Sequence, residues 1–125
     1  MLIIITKLKH NLPGFWQANR WFIIFFIMAL LCDAASTSYF MQRQGPDVEL
    51  HPVIRLVSQF MGPYLGPLLG FLGKAVAGLI IGLYLRKWAP YIFITVTIIS
   101  FWAAWYNIWG HKLDYFPNIF NLCPW

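Results

Sequence analysis

Three long apolar runs alternate with short polar stretches, and their lengths define the chain before any single residue does. The first run extends from Trp21 to about Gln42, the second from about Tyr64 to Leu85, and the third from about Pro90 to Trp109. Each comes close to the ~20 residues that an α-helix rising ~1.5 Å per residue needs to cross a ~30 Å hydrocarbon core. Trp21, Trp88, Trp109, Tyr64 and Tyr91 fall at run ends, where an amphipathic ring prefers the headgroup level. The pattern predicts an all-α integral membrane protein, a single transmembrane domain with about three spanning helices (21–42, 64–85 and 90–109).

The intervening stretches have their own patterns. Gln44-Gly45-Pro46-Asp47 is turn chemistry. His51-Pro52 suits a helix start, because Pro is tolerated at the first helical position. Val53, Ile54, Val57, Phe60 and Met61 then recur at helical spacing, with Arg55, Ser58 and Gln59 elsewhere on the wheel. This predicts a short interfacial helix over 52–61 in the first outer loop; the alternative is a long second span bent at Gly62-Pro63. Residues 1–20, with Leu2-Ile3-Ile4-Ile5 ahead of Lys7, Lys9 and a Pro13-Gly14 break, read as a second interfacial segment. The tail 113–125 is too short to span and, with Tyr115, Phe116, Phe120 and Trp125, too aromatic for a solvated end. It is expected to bury against lipid or protein. The 20 residues before the first run are long for the n-region of a cleaved leader, so that run is expected to remain as a span.

Composition excludes a soluble fold. Of the 125 residues 60% are hydrophobic and 10% charged, against about 25% charged in soluble domains. The net charge of +5 comes from Lys and Arg scattered between the runs, which suits membrane topology and anionic lipid, not nucleic acid. Three spans place Lys7, Lys9, Arg20, Arg86 and Lys87 on one side and Arg43, Arg55 and Lys112 on the other. The bias predicts a cytoplasmic N-terminus and an external C-terminus. Cys32 and Cys123 make no disulfide framework.

Against this background Asp33 and Lys74 stand out, because each lies near the middle of a span, where an ionisable residue costs roughly 2.5–3.5 kcal/mol. Their depths match, so they are expected to form an intramembrane ion pair, with Ser36 and Thr37 giving polar support from the same helix face. A structural pair and a proton or ion relay are both compatible with this. Gly62, Gly66, Gly70, Gly73 and Ala77 form a ladder of small residues suited to close helix packing, extending toward Gly78 and Gly82. Trp102, Trp105 and Trp109 make an aromatic face on the third span, with Tyr106 and Asn107 beside it. In the outer loop, Glu49 is expected to accept hydrogen bonds from loop backbone and His51 to cap a helix. Glu49, His51, His111 and Asp33 lack the spacing of a metal motif, and no metal site is assigned. No nucleophile–base arrangement, phosphate-binding Gly loop or cofactor fingerprint is present, so the chain is not expected to be an enzyme and its sequence requires no cofactor.

Asp33-Ala-Ala-Ser36-Thr37, then Gly45, Glu49-Leu-His51-Pro52 and Lys74, together resemble a small bacterial integral membrane family of unknown function. That family carries Asp-x-x-x-Thr in one helix, a Gly-x-x-Glu-x-Asn-Pro loop and a Lys in the next helix. The resemblance covers about a third of the chain, Asp33 to Lys74; His51 stands where the family has Asn, and the Gly45-to-Glu49 spacing is longer. It implies that Asp33, Glu49 and Lys74 act as one constellation, and it implies no activity.

Three functions follow as expectations. The leading one is a non-enzymatic accessory subunit that packs onto other integral membrane subunits and lipid through its glycine ladder, aromatic face and tail. The alternative is a small transporter or channel component using Asp33 and Lys74. The third is a subunit of a photosynthetic or respiratory complex contacting pigment or quinone.

Overall fold

The computed structural model describes residues 2–49 and 51–109; the expected tail 113–125, His111 and Lys112 lie outside them. Four helices follow one another: α1 (Leu2–Asn11), α2 (Phe15–Gln44), α3 (Pro52–Tyr84) and α4 (Ala89–Trp109), and no strand occurs among the described residues. The last three are long and apolar enough to cross a membrane. The chain is an all-α integral membrane protein.

The turn between α1 and α2 differs from the single interfacial segment expected over 1–20. Gly14 adopts φ +70°, a left-handed conformation that costs Gly little, and Phe15 N–H bonds Leu12 C=O at 3.1 Å. The spanning helix therefore starts at Phe15, not Trp21, and carries Arg20 in its own second turn. α1 is clasped to the far end of α3. Asn11 Nδ2 donates to the carbonyls of Leu83 (2.8 Å) and Tyr84 (3.3 Å), satisfying acceptors that a helix C-terminus leaves open. Arg86 Nη1 donates to Asn11 C=O at 3.1 Å, and Lys7 Nζ lies 3.9 Å from the Tyr84 ring centre.

The larger departure is in α3. At Gly62 the backbone leaves the helix (φ 87°, ψ 172°), a conformation open essentially to Gly alone, and Pro63 follows. As in the alternative of a span bent at Gly62-Pro63, the helix breaks there, and the arm 52–61 folds back beside the arm 63–84. A Cβ on Gly66 would come within 3.0 Å of Ser58 Cα, and one on Gly70 within 2.9 Å of Ile54 Cδ1. Both pairs are symmetric about Gly62. In an unbroken helix Ile54 and Gly70 would stand about 24 Å apart. The arms thus form an antiparallel hairpin with Gly62 at its apex.

The interior of the bundle is built from rings set onto glycines. Phe26 and Phe93 are fully buried, with centroids 5.1 Å apart, and Phe15 meets Phe93 edge-on at 6.3 Å. Gly78 and Gly82 receive them: a Cβ there would lie 2.5 Å from Phe26 Cζ and 2.6 Å from Phe93 Cζ respectively. With no hydrophobic drive between helices in lipid, this close packing is what holds α2, α3 and α4 together.

Candidate membrane-embedded polar site

Asp33 lies eleven residues before the end of α2, and Lys74 eleven residues after Pro63 on the long arm of α3. Both therefore stand about 16 Å in from the same end of the bundle. Lys74 Nζ donates to Asp33 Oδ2 at 2.8 Å. The carboxylate side chain is only 12% exposed, whereas the lysine side chain is 42% exposed, so the ammonium keeps an open side.

The hairpin brings a second pair of groups to this level. Gly45 (φ 88°) ends α2 and lets the chain turn back through a 3-10 turn at Pro46–Val48. Gln59 Nε2 donates to Asp47 Oδ1 at 2.7 Å, tying the returning segment to the short arm. Glu49 Oε1 accepts the His51 backbone N–H at 2.9 Å, and His51 Nδ1 faces Ile54 N–H at 3.5 Å, capping the short arm. The result is a cavity of about 370 Å³ whose walls include Asp33, Thr37, Glu49, His51, Lys74, Trp102, Tyr106 and Asn107.

The third wall comes from α4. Asn107 Nδ2 donates to Thr37 Oγ1 (2.9 Å) and Ser36 Oγ (3.2 Å), and Ser36 Oγ donates to Asp33 C=O (2.9 Å). Ser36 and Thr37 thus hold α4 against α2; they do not contact the charged pair through their hydroxyls. Asn107 was visible in the sequence as a polar residue within an apolar span, which marks a bundle-facing position. Trp102 stacks on Tyr106, with centroids 5.7 Å apart, and lines the cavity. Trp105 and Trp109 lie on the exposed surface of α4.

The small-residue ladder divides. Gly66 and Gly70 are filled by this chain's own Ser58 and Ile54, so they offer no docking face to another protein. Gly62 is the hairpin apex with nothing within 4 Å of a Cβ, Gly73 likewise has open space, and Ala77 is exposed. Packing instead continues at Gly78 and Gly82. Among the described residues no group of three His, Cys, Asp or Glu side chains is placed to hold a metal ion.

A three-span helical membrane protein with a folded-back hairpin and a polar cavity is the class these features define. No known protein family, curated protein or solved structure matches the chain.

Proposed function

We propose that this protein is a small transporter or channel component in which Asp33 and Lys74 form part of a solute-binding site within the membrane. The observation that supports this reading is the short arm of α3. It sets non-helical backbone, with Glu49 and His51, at the level of the Asp33–Lys74 pair. Irregular backbone at membrane depth is tolerated only where protein covers it or where it lines a watered cavity. Broken helices that meet ionisable residues near the midplane are the usual construction of transporter sites.

The test is flux. Purified chain in liposomes should move a small charged solute from a panel of ions, amines and carboxylates, and Asp33→Asn or Lys74→Met should abolish the movement. No flux of any panel member above empty liposomes would overturn the reading. Orientation belongs to the same proposal: N-terminus cytoplasmic, C-terminus external, in a bacterial inner membrane. A cysteine at Gln44 should then label from outside intact cells and one at Lys87 should not.

A second reading, the accessory subunit, keeps one support. The apolar segments of the three spans bury only 39%, 22% and 17% of their residues inside this chain, leaving broad surfaces for other membrane subunits. It no longer draws support from Gly66 and Gly70. Co-purification with a large partner in mild detergent, without flux in liposomes, would favour it.

A further inference from the structure

We infer that the cavity between α2, α4 and the hairpin binds a small organic ammonium group. The inference rests on the solute-site reading above and names the chemistry of what enters.

Charge decides the sign. Two carboxylates, Asp33 and Glu49, face the cavity, against one lysine. Lys74 is already matched to Asp33 at 2.8 Å, which leaves Glu49 as the uncompensated charge. Its Oε1 takes only a backbone N–H, and Oε2 has no partner among the described residues. Asp33, Glu49 and Lys74 together give the walls one net negative charge.

The start of the short arm also opens here, and a helix N-terminus ordinarily attracts anions. Its donors are largely spent. Pro52 has no N–H, Ile54 N–H faces His51 Nδ1, and Arg55 N–H bonds His51 C=O at 2.9 Å. Only Val53 N–H remains, and Val53 does not line this cavity.

Shape and surface narrow the class. No described cluster of three ligating side chains offers a metal site. The wall opposite the hairpin is instead aromatic, with Trp102 46% exposed and stacked on Tyr106. An indole face beside a carboxylate is the usual receptor for an alkylammonium ion, each such face contributing about 0.5–2 kcal/mol. About 370 Å³ falls within the ~300–1,000 Å³ of small-molecule sites. The same ammonium chemistry occurs in free amines and in the headgroups of choline and ethanolamine lipids.

Calorimetry on the full chain in nanodiscs of phosphatidylglycerol, which has no amine, tests this at fixed sodium chloride. Tetramethylammonium and ethylammonium chloride should each saturate one site per chain, and sodium acetate should not. Glu49→Gln should weaken ammonium binding about tenfold or more, equivalent to ~1.4 kcal/mol. Trp102→Leu should weaken it several-fold, and this change on an exposed side chain carries the test if Glu49→Gln fails to assemble. Repeating the titration in phosphatidylcholine nanodiscs separates the sources. Weaker apparent binding there identifies a lipid headgroup as occupant, and unchanged binding identifies a free amine; either supports the inference. Absence of saturable ammonium binding, preference for acetate, or binding undiminished in the variant that assembles overturns it. Binding without flux would leave this inference standing and remove the transport reading; flux of an anion without ammonium binding would do the reverse.

Discussion

Replacing Gly66 with alanine probes the hairpin at its tightest point. The new Cβ would lie 2.9 Å from Ser58 Cβ and 3.0 Å from Ser58 Cα, against the ~3.5–4.0 Å at which carbon atoms pack. One of those atoms is backbone, so no rotamer change relieves the contact; the arms have to part by about 0.5–1 Å. Overpacking of this kind costs about 1–3 kcal/mol. Alanine also gains about 1 kcal/mol over Gly in a helix interior, which would mask part of the loss. Gly73→Ala supplies the correction, because it makes the same exchange on the same arm with nothing within 4 Å. The difference between the two variants isolates the clash, and it should be about 1–3 kcal/mol with Gly66→Ala the less stable. Reversible unfolding of the purified chain in mixed micelles, followed by circular dichroism as sodium dodecyl sulfate is raised, gives both values. Adding Ser58→Gly should return part of the loss, because it removes Ser58 Cβ and Oγ but leaves the backbone Cα in contact. Equal stability of the two alanine variants would mean that the arms do not touch.

Asp33→Asn and Lys74→Met should each destabilise the bundle. Breaking a buried pair costs about 3–5 kcal/mol; the open side of Lys74 reduces this to about 1–2 kcal/mol. A double-mutant cycle in the same unfolding assay should show the double variant recovering part of the loss, and strictly additive losses would argue against the contact. Gly62→Ala should cost about 1–3 kcal/mol from backbone strain alone, because its Cβ would meet nothing within 4 Å. An unchanged unfolding midpoint there would show that the apex does not hold φ near +87°.

How much of this could be read from the sequence varies with the physics. Spanning helices are legible because apolar length is a one-dimensional property, and run lengths at Trp21 and Tyr64 locate them. Where the helices begin is less so: Phe15–Arg20 extends α2 as ordinary helix past the edge of the apolar run. Asp33 and Lys74 meet because antiparallel neighbours of equal depth have few other partners. Gly62-Pro63 marks where the second span can bend, but that its two arms fold back onto each other is not legible. A ladder of glycines states that something approaches closely and not what, and Val53 to Met61 carries the same helical periodicity whether it lies on a surface or against Gly66 and Gly70. Asn107 gave a signal as a lone amide in an apolar span, but only the register of α4 on α2 shows that it reaches Ser36 and Thr37.

The clasp between α1 and the end of α3 bears on the order of synthesis. Arg86 follows Asn11, whose carbonyl it bonds, by 75 positions, so the N-terminal helix is made long before its partner exists. At about 5–20 residues per second it waits on the order of 4–15 s for that partner. Lys7 and Lys9 give it something to hold meanwhile, since each basic residue near an anionic surface contributes ~1 kcal/mol. A helix made early is thus among the last to find its place.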